Sequence, residues 1–254
     1  MRLAEMEEYI HTVYALLRKE TVEVSLEGVQ RKIRFLNPDH GLINTDDPIA
    51  LHVSAYGPRS RALTARLAAG WLNFIGDVAT AVSALESMQT AWQEAGHDPQ
   101  ELSATAFALG CVLEEGEAYD SPRAMAQAGP RAAVTLHRAA DEMLAGWQNS
   151  SVTFPSFTDA VSGYVELAQS FEPADAPYLV NHEGHLMFVK PEERPFVTAE
   201  LIRDTSFTAT RGVLVERIAA LRDAGYTQFT VQLTPGQESA IEDWASIKHY
   251  VDYD

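Results

Sequence analysis

The sequence predicts an α/β protein in which short apolar strands alternate with amphipathic helices on a parallel sheet. Three observations predict it. Residues 46–116 hold three strand-like apolar runs separated by segments of helical period. The helical segments stop at glycines, namely Gly70, Gly96 and Gly225. The same rhythm returns over residues 209–254 after a long interruption. Strands alternating with helices are joined by crossovers, which make neighbouring strands parallel.

Each element has its own local signal. Leu3, Met6, Tyr9, Ile10, Val13, Leu16 and Leu17 recur at helical spacing and predict a helix over 3–19. TVEVSLEGV and QRKIRFL alternate with short period and predict a hairpin turning near Glu27-Gly28, so residues 1–45 read as helix plus hairpin. The βα units of 46–116 then follow. PIALHVSAYGP reads as a strand, RSRALTARLAAG as a helix stopped by Gly70, WLNFIG as a strand, VATAVSALESMQTAWQEAG as a helix stopped by Gly96, and ATAFALGCVLEE as a third strand.

Residues 117–208 read as a helical insertion and an excursion. Its clearest helix is RAAVTLHRAADEMLAGW, and FTDAVSGYVELAQSF predicts another opening after Pro155. The proline-rich stretch 176–208 reads as irregular, and long structured excursions of this kind are often functional. Over 209–254, TRGVLVERIAALRDAGY is a helix with Thr210 as N-cap and Gly225 as stop. QFTVQLTPG is a fourth strand and QESAIEDWASIKHYV a closing helix. With no low-complexity linker, a single domain over 1–254 is expected. A closed (β/α) barrel needs about eight strands. Four leave two sheet edges open, so the strand count implies refolding, self-association or a partner chain.

Composition narrows the function classes. A formal net charge of −17 makes nucleic acid and anionic membrane surfaces poor partners. The apolar runs fall far short of the ~18 residues of a membrane span. The N-terminus carries acids where a signal peptide is basic, and a single cysteine cannot staple the fold internally, so a cytoplasmic location is expected. The single cysteine, Cys111, sits in an apolar run and reads as a buried strand thiol rather than a nucleophile. Trp71, Trp92, Trp147 and Trp244 read as core. Glu192-Glu193-Arg194 reads as a local ion pair of little worth. A Walker loop, a Rossmann fingerprint and a nucleophile elbow are all missing from the sequence.

The strongest chemical signal is Ser54-Ala55-Tyr56-Gly57-Pro58-Arg59-Ser60-Arg61, where a strand hands over to a helix. Gly57 permits a tight turn and close approach of a ligand. Pro58 suits the first helical position. The N–H groups of Arg59, Ser60 and Arg61 then point out of the helix N-terminus and, with the dipole, form an anion site. Arg59 and Arg61 add charge, and Ser54 and Ser60 add hydroxyl donors. A phosphate is the natural guest. The same residues also fit a bare helix start with solvated arginines.

The run PIALHVSAYGPRSRALTARLAAGWLNFIG resembles the strand–turn–helix–strand signature of the luciferase-like flavin and deazaflavin oxidoreductases. ALLRKETVEVSLEGVQRKIRFL and RGVLVERIAALRDAGYTQFTVQLTPG resemble that family's upstream hairpin and its last helix and strand. The acid usual before the second strand is missing at Ala69-Gly70-Trp71. The resemblance implies a (β/α)8 barrel, here incomplete, with about four C-terminal βα units plus a helical insertion. It implies FMN or 8-hydroxy-5-deazaflavin (coenzyme F420) as cofactor, its phosphate held by Ala55, Tyr56, Gly57, Pro58 and the N–H of Arg59. Family members carry roughly another hundred residues in front of this start, holding the first half of the barrel. A homodimer mate or a partner chain would then complete the barrel around a small-molecule substrate.

His182-Glu183-Gly184-His185 lies in the excursion. The spacing is wrong for the HExxH zinc helix, and no further metal ligand is evident, so no metal is expected. The resemblance places the excursion near the active-site mouth, where His182 and His185 would act as acid, base or hydrogen-bond partners. Loop histidines that merely satisfy backbone carbonyls are the bland alternative. An oxidoreductase subunit is the leading expectation, and a non-catalytic half-barrel that dimerises is the alternative.

Overall fold

A computed structural model describes residues 2–146 and 158–248. Trp147, the segment around Pro155 and the last turn of the closing helix lie outside the described residues. The chain divides into two compact units, Met1–Trp71 with Met88–Leu102, and Leu72–Ser87 with Ser103–Asp254.

The first unit opens with α1 (Leu3–Leu17), where the Glu5 carboxylate accepts the Arg2 N–H at 2.8 Å and so caps the helix. The hairpin β1 (Val22–Leu26) and β2 (Val29–Ile33) pairs antiparallel, as expected. Glu27 and Gly28 both have positive φ, 53° and 77°, which a tight two-residue hairpin turn requires. The strand β3 (His52–Ser54) is shorter than its apolar run, and α2 (Pro58–Arg66) follows it. Gly70 does not stop α2. The chain breaks at Ala68, whose φ is 47°, and Gly70 opens β4 (Gly70–Phe74). Its N–H donates to the Leu51 carbonyl at 2.8 Å, and a Cβ there would lie 2.7 Å from the His52 ring. Helix α3 (Val78–Glu94) returns the chain to this unit and ends at Gly96, with φ of 88°.

The second unit holds the rest of β4, then β5 (Ala104–Leu109), β6 (Val112–Leu113), α4 (Pro122–Leu144), α5 (Thr158–Ala168), α6 (Tyr178–Asn181), α7 (Ala199–Thr205), β7 (Ala209–Thr210), α8 (Arg211–Ala224), β8 (Gln228–Gln232) and α9 (Ala240–Lys248). Sheet order is β3-β4-β5-β8. β5 and β8 run parallel from Thr105 opposite Gln228 to Leu109 opposite Gln232. Five of the six β5 residues are buried, as befits a parallel strand covered on both faces. The expected third strand is in fact two. Gly110 interrupts it because a Cβ there would overlap the Phe207 carbonyl, and β6 pairs instead with β7.

Helix α4 begins at Pro122, well before the expected Arg131. The Ser121 hydroxyl accepts the Ala124 N–H at 3.0 Å as its cap. Pro130 sits inside the helix and cannot donate to the Ala126 carbonyl. The Thr234 hydroxyl donates to that carbonyl instead, at 3.0 Å, which removes part of the cost. Ala128, Ala132, Leu136 and Ala140 of α4 pack with Tyr164 and Val165 of α5 and Leu201 and Ile202 of α7 into one apolar core. The excursion 176–208 is more regular than expected, since it contains α6, a short 3-10 turn at Arg194–Phe196, and α7 capped by Thr198. Thr210 occupies the N-cap of α8 but its side chain makes no cap bond, while Gly225 closes the helix at φ of 114°. Among the described residues, no helix is long and apolar enough to cross a membrane.

Candidate functional site

The turn after β3 is held from behind. Ala55 is buried, and its carbonyl accepts the Trp71 indole N–H at 2.9 Å. Ser54, Tyr56, Gly57, Pro58 and Arg59 stand exposed beyond it. Gly57 is the N-cap of α2 and Pro58 the first helical residue, as expected. Two of the expected donors are already used. The Arg61 N–H closes the first helical bond to the Gly57 carbonyl at 3.0 Å. The Ser60 hydroxyl accepts the Gly57 N–H at 3.2 Å and donates to the Gly57 carbonyl at 2.9 Å. By helix geometry the N–H groups of Arg59 and Ser60 remain without an intrahelical acceptor.

Two features make this turn suited to an anion. Gly57 has φ of −91° and ψ of 160°, an extended conformation open to any residue. A Cβ there would meet only the Ser60 hydroxyl, at an ordinary 3.9 Å. Neither backbone strain nor packing demands glycine, and its effect is to leave the helix N-terminus bare. The Arg61 Nε is buried without a hydrogen-bond partner among the described residues. Such a donor gains from an acceptor brought by a ligand.

The histidines of the excursion form a second cluster, in the second unit. His182 caps the C-terminal end of α6 and His185 follows one turn later. Their Nδ1 atoms face each other at 3.3 Å. A third imidazole joins them from α4: the His137 ring centroid is 5.7 Å from that of His182 and 5.9 Å from that of His185. His137 thus stands beside His182 and His185 as a third imidazole that the loop sequence does not contain.

A buried polar network orders these rings. Glu193 is fully buried. Its carboxylate accepts from His137 Nε2 at 2.7 Å, the Tyr164 hydroxyl at 3.0 Å, the Lys190 N–H at 3.0 Å and Lys190 Nζ at 3.0 Å. Lys190 Nζ also donates to the Val180 carbonyl. Where a local ion pair of little worth is expected, Glu193 is a buried hub, and its partners are His137, Tyr164 and Lys190. Asn181 accepts the Tyr164 hydroxyl at 2.9 Å and donates to Asp141 Oδ1 at 2.7 Å, and Asp141 Oδ2 receives His182 Nε2 at 2.7 Å.

The environment sets the protonation. Burial alone would raise the Glu193 carboxyl, but its bonds from His137 and Lys190 outweigh that and hold it below the usual range. Burial, reinforced by Glu193, pushes the Tyr164 phenol well above its ordinary value. Burial, then the neighbouring His182, His137 and Arg131, lowers His185. Cys111, by contrast, is fully buried, and burial pushes its thiol up to about 12, so it is no nucleophile.

His137 and Asp141 stand one turn apart on α4, a spacing that places both on one face. A histidine inside the apolar stripe of RAAVTLHRAAD was the available sequence signal. Nothing in the sequence tied it to a loop more than forty residues away.

The luciferase-like monooxygenase family profile matches residues 1–228. The chain belongs to that family. Among functionally curated proteins, none matches. Two solved structures share the fold. The coenzyme F420 dependent tetrahydromethanopterin reductase from Methanopyrus kandleri is 16% identical with a TM-score of 0.56, the match covering 97% of this chain and 63% of that one. An F420-dependent secondary alcohol dehydrogenase, solved with an F420-acetone adduct, is 13% identical with a TM-score of 0.53, covering 97% and 61%. The chain thus spans less than two thirds of the length of these proteins, consistent with an incomplete (β/α)8 barrel.

Proposed function

We propose that this chain is a subunit of a flavin- or deazaflavin-dependent oxidoreductase that holds its cofactor phosphate at Ser54–Arg61. The observation that carries the reading is Gly57, a glycine that neither its backbone angles nor its neighbours require, at the mouth of a helix. Phosphate oxygens would take the Arg59 and Ser60 N–H groups and the Arg61 Nε, with Arg59 adding charge and Ser54 a hydroxyl. Ala55, Tyr56 and Pro58 fix the path of the turn. His182 and His185 take no part in cofactor binding in this reading.

The bound cofactor supplies the redox chemistry; the chain positions it for a small-molecule substrate. The two solved relatives named for F420 put the deazaflavin first and FMN second. A dimer mate or a partner chain would supply the strands that complete the barrel. The sheet order supports this, because among the described residues β8 lies at the end of the sheet. Beside it opens an apolar cleft of about 510 Å³, lined by Phe229, Val231, Trp244 and Ile247. An unpaired strand edge next to apolar surface is a template for pairing.

The test is a fluorescence titration of the purified chain with coenzyme F420 and with FMN, run with and without a lysate of its source as partner. Saturable binding of either cofactor supports the proposal. Binding of neither under both conditions rejects it.

A further inference from the structure

We propose that His137, His182 and His185 form a binding site for a divalent transition metal of the zinc class. The claim is independent of cofactor binding at the turn. One ligand nitrogen from each of the three imidazoles lies within 4.8 Å of the others. In a tetrahedral site with metal–nitrogen bonds of about 2.0–2.1 Å, ligand nitrogens stand roughly 3.4 Å apart. The His182 and His185 Nδ1 atoms already stand 3.3 Å apart. Closing the two edges to His137, each within 4.8 Å, asks for ring movements that the two loop histidines are exposed enough to make.

The second observation is the state of the His137 ring. Its Nε2 bonds to the Glu193 carboxylate at 2.7 Å, which assigns the proton to Nε2 and leaves the lone pair on Nδ1. That Nδ1 is buried and has no partner among the described residues. A ring 2% exposed therefore carries an unused lone pair, with two more imidazoles centred 5.7 and 5.9 Å from it. His182 repeats the pattern, with Nε2 on Asp141 at 2.7 Å and Nδ1 turned to His185. Two nitrogen lone pairs at that distance repel unless a proton or a cation lies between them. Carboxylate–imidazole pairs with the far nitrogen free are the usual outer support of bound metals: they fix the ring and raise its basicity. Glu193 and Asp141 also offset the positive charge of Lys190 and Arg131 nearby.

Three imidazoles select zinc, cobalt, nickel or copper over magnesium and calcium, which prefer oxygen. Three protein ligands leave a fourth position for water or a small anion. A metal here would tie the segment after α6 to α4.

The experiment is a titration of chelator-treated, untagged protein with Co²⁺, read by its visible ligand-field absorption, and with Zn²⁺, read by calorimetry. One equivalent is expected to bind, with the intense bands of low-symmetry cobalt. H182A and H185A change loop residues and leave the core intact; each should weaken binding more than tenfold. E193Q, which removes the carboxylate behind His137 without touching a ligand, should weaken it by roughly 10–100-fold in protein that circular dichroism shows to be folded. No binding to the wild-type chain overturns the proposal, as does binding that H182A and H185A leave unchanged. Loss of binding on replacing only the exposed His11 and His40 overturns it too.

Discussion

Replacing Glu193 with alanine isolates the most consequential side chain in the second unit. The carboxylate is fully buried and accepts from His137, Tyr164 and Lys190 at 2.7–3.0 Å. Its removal strands a lysine that is itself 3% exposed, with the Val180 carbonyl and the face of Phe171 left to it among the described residues. Removing one partner of a buried ion pair costs about 3–5 kcal/mol, because the other charge stays behind unpaired. For a domain of this size each kcal/mol lowers Tm by about 2–4 °C, so E193A should melt roughly 6–20 °C below wild type. The measurement is thermal and urea unfolding followed by circular dichroism, in chelator so that no metal contributes. E193L/K190M removes both charges together and should recover most of the loss, since an apolar pair in place of a buried ion pair is often near neutral. A loss below about 1 kcal/mol for E193A, or no recovery in the double variant, would refute the buried hub.

Further outcomes follow from single groups. The Cys111 thiol, buried and raised to about 12, should resist an aromatic disulfide reagent in the folded protein and react at once in denaturant; prompt native reactivity would contradict its burial. Burial alone would raise the Glu117 carboxyl, but bonds from Arg123, the Glu114 N–H and Ser121 hold it at about 2. A depressed acid stabilises the fold above its ordinary value of 4.5 and loses that stability as pH falls toward 2. Arg123→Met should therefore lower stability at pH 7 and flatten its fall over that acid window, checked by urea midpoints across pH.

Much of the fold could be read from the sequence. Helical spacing placed α1, α3 and α8, and Glu27-Gly28 placed the hairpin turn, because these signals are local. The failures came where a distant partner decided the outcome. Gly70 looked like a helix stop, yet the His52 ring is what excludes a side chain there. Gly110 breaks a continuous apolar run because of Phe207, far along the chain. The helix expected from Arg131 runs back through Pro130, which Thr234 makes tolerable inside α4. The site divides the same way. The turn at Gly57 was visible as a motif, although the capping role of Ser60 and the helical bond of Arg61 were not. The histidine cluster could be half read: His182 and His185 share a loop, while His137 and Glu193 reach them only through tertiary packing.

The measurement that bears most directly on the account is cofactor affinity in Gly57→Val. A Cβ at the mouth of α2 meets only an ordinary 3.9 Å contact with the Ser60 hydroxyl, so the intrinsic cost of the variant is that of a poorer N-cap, about 1 kcal/mol. The variant should fold and melt within a few degrees of wild type while binding coenzyme F420 or FMN more than tenfold more weakly. Equal affinity in the two proteins, with the fold intact, would show that the phosphate does not rest on this turn.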